Sequence, residues 1–170
     1  MFAVLKPIRL LLRALVTEST PRQMSLGLAL GMFIGLVPKG NLLAIALGIC
    51  LAATRVNLSV AACAAVIFTM ASGSLDSIFD QIGGGVLSQP GLQSFWGTLY
   101  NMPFMRWTDF NNTIVMGSFL SGLVLLWPVH RLSRPFFERY RGKFASHARR
   151  WKISRILLGA EWADRISLLE

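Results

Sequence analysis

The sequence predicts an all-α integral membrane protein: a broken or re-entrant helical hairpin, about two further transmembrane helices, and amphipathic interfacial helices on either side. Three observations carry that reading. Hydrophobic residues make up 54% of the 170, the mean hydropathy is +0.54, and these residues gather into runs with few or no charges at 24–37, 42–53, 56–71 and 113–129. A polar turn, Pro38-Lys39-Gly40-Asn41, splits the first two runs. Fourteen of the 17 lysines and arginines fall in 1–23 or 130–170, while 72–112 holds one cation, Arg106, beside Asp76, Asp80 and Asp109. The positive-inside rule then puts both termini in the cytoplasm and requires an even number of crossings. No run reaches the roughly 20 residues of a standard span, so a soluble helical core is the competing reading. It is disfavoured because the runs are apolar on every face and a small protein has too little interior to bury four such helices.

Residues 1–23 read as an amphipathic interfacial helix. Lys6, Arg9 and Arg13 line one face and Leu5, Ile8, Leu12 and Leu15 another, a pattern suited to the cytoplasmic leaflet. The same cations interrupt the apolar core that a cleaved signal peptide needs; a mitochondrial transit peptide shares this look. The membrane domain, 24–129, opens with the hairpin at 24–54. Gly27, Gly31 and Gly35 form one stripe on the first arm, and Ala44, Gly48 and Ala52 form one on the second. Small residues four apart let two helix backbones approach closely, so the two arms are expected to pack on each other. Each arm is about 18–21 Å long at 1.5 Å per residue, short of the ~30 Å hydrocarbon core. This favours a re-entrant hairpin over two full spans. Non-helical backbone at membrane depth survives only where protein or a water-filled cavity satisfies it.

A helix at 56–71 follows, then an outer amphipathic and aromatic segment at 72–112. Within it, 75–87 is helical up to Gly83-Gly84-Gly85, which should break it, and Phe95, Trp96, Tyr100, Phe104 and Trp107 suit the membrane–water interface. Any of Asn111, Asn112 and Thr113 can cap the helix at 113–129, and Trp127-Pro128 marks its exit. The tail, 130–170, reads as a basic amphipathic helix. Its membrane-surface residues are Phe137, Tyr140, Phe144 and Trp151, with Arg149 and Arg150 among the cations. Basic residues interleaved with aromatics can also mark nucleic-acid binding, but this helix is tethered to a span. Anionic lipid at the cytoplasmic face is therefore the expected partner, and no nucleic acid.

Chemistry-bearing patterns are few. No Walker loop, dinucleotide fingerprint, zinc spacing or hydrolase elbow is present, so no cofactor and no metal is expected. Asp76 and Asp80 are the nearest approach to a catalytic pair, and a solvated face explains them more simply; the reading is non-enzymatic. The candidate substrate or anion site is Lys39, Gly40 and Asn41 with Arg55 and Asn57. Backbone amides after Gly40 would turn the positive end of a helix dipole toward an anion, with Lys39 adding charge.

Two stretches carry a family resemblance: Gly31-Met-Phe33-Ile-Gly35-Leu-Val-Pro38-Lys-Gly40-Asn41 and Ala53-Thr-Arg55-Val-Asn57. They resemble the Gly-x-Phe-x-Gly-x-x-Pro pattern of a bacterial inner-membrane family, domain-of-unknown-function family 2062, over roughly residues 20–90. The turn here lacks one residue that many relatives have before the glycine, and Thr69-Met70-Ala71-Ser72 stands where many carry an Asn-Pro turn. The resemblance implies a multi-helix inner-membrane protein without an established activity, and envelope biology through relatives fused to glycosyltransferase-like domains. The function expected is a small transporter or flippase-like component for an anionic or lipid-linked substrate. It would work as a homo-oligomer or with another membrane protein. A non-catalytic scaffold or assembly subunit is the alternative.

Overall fold

The computed structural model describes residues 20–150, with side chains as far as Arg139. The expected helix in 1–19 and the tail from Trp151 onward lie outside the described residues.

Four of the α-helices begin at a side-chain cap. Thr20 and Gln23 form a reciprocal capping box, with Pro21 in the first turn, and open α1 (Pro21–Leu36). Pro38 holds the preceding residue, Val37, in extended backbone and stops it. Asn41 caps α2 (Leu42–Ala52) by accepting from the Ala44 amide at 2.9 Å. Asn57 caps α3 (Leu58–Ser72) by accepting from the Val60 amide, also at 2.9 Å. A 3-10 turn at Gly73–Leu75 leads into α4 (Asp76–Leu87), and a second at Pro90–Leu92 into α5 (Gln93–Tyr100). A third 3-10 turn, Met105–Thr108, precedes α6 (Thr113–Arg150). Of the three candidate caps for that last helix, Asn112 supplies the oxygen, accepting from Ile114 and Val115. No strand occurs among the described residues.

The core is built around α1, which α3 and α6 cover from two sides. Ala29, Met32, Phe33 and Leu36 are buried on it, and Phe79 of α4 joins Met32 and Leu36 in the central cluster. Glycines set the approach distances. A Cβ on Gly27 would meet the Asn57 carbonyl oxygen at 2.7 Å, one on Gly31 the Ala61 oxygen at 2.2 Å, and one on Gly35 the Ala65 oxygen at 2.8 Å. The paired positions advance together, so α1 and α3 run parallel. Phe33 packs on Gly122 and Phe119, and Ser25 meets His130, which makes α6 antiparallel to α1. Gly83 lies against Thr113 and Gly117 against Phe79, which makes α4 antiparallel to α6.

Three expectations are corrected. The glycine stripe of α1 faces α3, not the second arm of the hairpin. On α2, Ala44 is half-buried, Ala52 is exposed, and a Cβ on Gly48 would meet nothing within 4 Å. The reason is that Asn57, Ala61 and Ala65 repeat at the same four-residue interval as the glycines, so α3 offers a matching seam. Gly83-Gly84-Gly85 does not end its helix, which runs on to Leu87. Close packing on Thr113 offsets the ~1 kcal/mol propensity cost of a helical glycine. The helix expected at 113–129 does not end near Pro128; α6 is one helix of 38 residues that contains both Pro128 and Pro135, about 57 Å long at 1.5 Å per residue.

Two stretches are long and apolar enough to cross a membrane, Leu58–Leu87 and Thr113–Arg139. Only 22% and 28% of their most apolar windows are buried inside the protein. Val66, Ile67, Met70, Leu123, Val124 and Trp127 face outward.

Candidate functional site

In the Pro38–Asn41 turn, the Lys39 and Asn41 side chains fold back onto nearby backbone. Lys39 reaches back over the end of α1, where its Nζ donates to the carbonyls of Ile34, Val37 and, at 3.2 Å, Gly35. A helix C-terminus leaves its last carbonyls unpaired and carries partial negative charge, so a lysine one turn beyond it is drawn there. The residue as a whole is exposed. Gly40 has φ +100°, a left-handed conformation that glycine adopts without steric cost. Asn41 is 4% exposed. Its Oδ1 takes the Ala44 amide and its Nδ2 donates to the Pro38 carbonyl at 3.2 Å.

The expected anion site is therefore not assembled. Lys39 serves the negative end of α1 rather than the positive end of α2, and the Asn41 side chain already takes one of the amides at the start of α2, that of Ala44. Arg55 and Asn57 lie elsewhere: the Asn57 amide donates to the Gln23 carbonyl at 3.3 Å, at the opposite end of α1. Gln23 and the turn are separated by about 20 Å of helix at 1.5 Å per residue. Arg55 is exposed, and Asn57 is 5% exposed and engaged as the α3 cap. We predict that Lys39→Met lowers stability by about 1 kcal/mol, the size of a charge–dipole contact at a helix end. Thermal unfolding in detergent checks it, and a variant that melts with the parent removes the capping role.

The far end of α1 carries the positive charge. Ser25, fully buried, donates to the Arg22 carbonyl at 3.0 Å and lies 3.0 Å from His130 Nδ1. Arg22, Arg131 and Arg134 are close enough to act electrostatically on that histidine. The pair ties α1 to α6; a serine with no exposure is not a nucleophile for an external substrate. Thr20, Asn57 and His130 thus share one end of the bundle, with the start of α1, the start of α3 and the middle of α6. Beyond it, Phe137 is half-buried and packs edge-on against Phe136 at 5.7 Å. Tyr140, Phe144, Arg149 and Arg150 continue the helix, with side chains outside the described residues.

One concavity was not foreseen. A cavity of about 540 Å³ separates α2 from α5, the Met105–Thr108 turn and the first half of α6. Leu42, Leu43 and Ala46 form one wall, Trp96, Phe104 and Phe110 a second, and Met116 and Phe119 a third. Phe104 (φ 68°) and Asp109 (φ 53°) bracket the turn in left-handed backbone, which aspartate tolerates and phenylalanine rarely adopts. Read along the chain, Phe95 to Trp107 are interfacial aromatics. The fold makes several of them the wall of a pocket.

The model of a bacterial family described as "uncharacterized protein conserved in bacteria", domain-of-unknown-function family 2062, matches residues 7–146. The chain belongs to this family. The match takes in the turn, the glycine seams and the cavity. A protein of Treponema pallidum (strain Nichols), also described as uncharacterized, is 28% identical over 131 residues, 77% of this chain and 81% of that protein. No solved structure matches the chain.

Asp76 and Asp80 are exposed, and the Thr113 hydroxyl donates to Asp80, linking α4 to the start of α6. No three of His, Cys, Asp and Glu come together among the described residues. Cys50 and Cys63 are free thiols.

Proposed function

We propose that this chain is a multi-pass protein of the bacterial inner membrane that acts, as an oligomer, in moving a lipid-linked substrate: a small transporter or flippase-like component. The observation that carries the reading is α2, an apolar helix of 11 residues with none buried, set against an apolar cavity. At about 16 Å it is too short to cross the ~30 Å hydrocarbon core by itself. Interrupted helices of this kind recur at transporter binding sites, and α1 with α2 makes a re-entrant hairpin whose turn pairs the Lys39 ammonium and the Asn41 side chain with protein groups, as non-helical backbone at membrane depth requires.

Membrane placement draws on the two long apolar stretches with their outward-facing side chains. Orientation draws on charge: Arg22, Arg131 and Arg134 lie at the end of the bundle shared by the chain's two basic segments, so that end faces the cytoplasm and meets anionic lipid. An anionic group on the substrate would find its counter-charge there rather than at Lys39. The small size of the chain makes an oligomer the working unit. The competing reading, a scaffold subunit, draws on α6, which continues about 30 Å past His130 at 1.5 Å per residue and could dock another protein.

Proteoliposomes made with the purified chain and a fluorescent phospholipid in both leaflets separate the two. Dithionite added outside bleaches only the outer leaflet unless lipid is moved. We expect bleaching to pass that level. A plateau equal to that of protein-free vesicles would overturn the transport reading, and a stable partner copurifying from native membranes would support the scaffold.

A further inference from the structure

We propose that Arg22 of α1, together with Arg131 and Arg134 of α6, binds the phosphate of one anionic glycerophospholipid of the cytoplasmic leaflet, whose acyl chains lie along the outer face of α6 at Val124 and Trp127. The proposal rests on the membrane placement and orientation above and gives the anionic partner a specific site.

The three cations come from two helices, and the fold holds them together. Ser25 ties α1 to α6 through its 3.0 Å contact with His130 Nδ1, and its hydroxyl also meets the Arg22 carbonyl at 3.0 Å. Arg22, Arg131 and Arg134 all act electrostatically on that one imidazole, and all three are exposed. Like charges brought together repel, so their convergence favours a shared anion. One described carboxylate touches them: Arg134 Nε donates to Glu138 at 2.8 Å, which leaves the terminal guanidinium nitrogens to another acceptor. A guanidinium matches phosphate oxygens two at a time, so arginines from two helices form a clamp rather than a diffuse charge. The Thr20 and Asn57 side chains already take amides at the two helix starts nearby, so the binding groups are side-chain cations.

The surface beside the arginines selects a lipid. Val124, Trp127, Arg131 and Arg134 follow one another at intervals of three, four and three residues, so they share one face of α6. Val124 is 72% exposed and Trp127 68%, and the Arg131 guanidinium lies 5.6 Å over the Trp127 ring. Along this face bare hydrocarbon gives way to an indole and then to two cations. A membrane changes in the same order, from acyl chains through the aromatic-rich interface to headgroup phosphates. A soluble anion or a nucleic acid would use the charges and leave Val124 and Trp127 bare, whereas an anionic amphiphile is complementary to both.

The full chain, purified in a non-ionic detergent, is titrated with phosphatidylglycerol and separately with phosphatidylcholine of the same acyl chains, and the adducts are followed by native mass spectrometry. We expect the first phosphatidylglycerol to bind at least about ten-fold more tightly than phosphatidylcholine, since each cation near an anionic lipid surface is worth about five-fold. Arg22→Gln and Arg131→Gln should each lower that preference about five-fold; both side chains are exposed, so the core is untouched. Arg106→Gln removes the same charge from the exposed turn before α6 and should leave the preference unchanged. No preference in the parent chain, or one lowered equally by Arg106→Gln and so a response to net charge, would overturn the site. Inorganic phosphate that displaces the lipid at equal concentration would assign the arginines to a soluble anion, and a short oligonucleotide that does so would assign them to nucleic acid; either result also overturns the proposal. A chain that stays monodisperse after the detergent is removed would instead remove the membrane placement on which the site depends.

Discussion

Gly31→Ala is expected to lower the melting temperature of the detergent-solubilised protein by roughly 5–10 °C, whereas Gly48→Ala leaves it level or raises it slightly. The added methyl on Gly31 would lie 2.2 Å from the Ala61 oxygen and 2.8 Å from its Cα. Both are backbone atoms, so no side chain can swing aside and α1 must move away from α3. Overpacking of a tight interface costs about 1–3 kcal/mol, and in a chain of this size each kcal/mol shifts the midpoint by about 2–4 °C. Position 48 has the opposite environment. A Cβ there meets nothing within 4 Å, and alanine improves helix propensity by about 0.5–1 kcal/mol over glycine. Measured as a pair, the two variants test which glycine stripe is a seam. Equal effects would dissolve the α1–α3 assignment.

The second large effect is expected at the α4–α6 contact. A Cβ on Gly83 would come 1.9 Å from the Thr113 oxygen, and one on Gly117 would come 1.9 Å from the Phe79 oxygen. The two glycines face each other across one junction: a Cβ on Gly83 would also lie 2.8 Å from the Gly117 amide nitrogen. Each alanine alone should cost about 3 kcal/mol. The double variant should cost less than the sum, because the first methyl has already separated the helices. Contacting sites show coupling of about 0.5–3 kcal/mol, large enough to resolve in a double-mutant cycle of unfolding. Strict additivity would mean that the two positions do not share a junction, and single variants within about 0.5 kcal/mol of the parent would mean that the helices are not in van der Waals contact.

These glycines also mark how far the residues alone could be read. A four-residue repeat of glycine announces that a backbone comes close, and the stripe at 27, 31 and 35 was legible for that reason. Its partner was not. The nearest small-residue helix in the chain is α2, and sequence proximity points there. Matching also requires direction and register, which Asn57, Ala61 and Ala65 supply from α3. Gly83 posed the reverse difficulty: three glycines in a row read as a break because their propensity is local, while the contact that offsets it comes from Thr113, thirty residues away.

Lys39 illustrates the same limit at the turn. A cation between two helices has two helix ends within reach, one negative and one positive, and composition cannot say which it serves. In the fold, unpaired carbonyls of α1 attract it and Asn41 has already capped α2, so the expected anion site becomes a helix cap. Arg55 and Asn57 looked close to the turn along the chain, but α2 carries them back to the other end of α1.

The residues by themselves determined the helical class, a cap within Asn111–Thr113 for the last helix, the apolar stretches and the asymmetry of charge. Each of these depends on neighbours within a turn or two, or on composition. Tertiary structure decided which helices pair, where Lys39 spends its charge, and that α2 stands off from the core across a cavity walled by Trp96 and Phe110. Those outcomes depend on contacts between segments tens of residues apart, whose energies come from shape and register rather than from any one stretch of sequence.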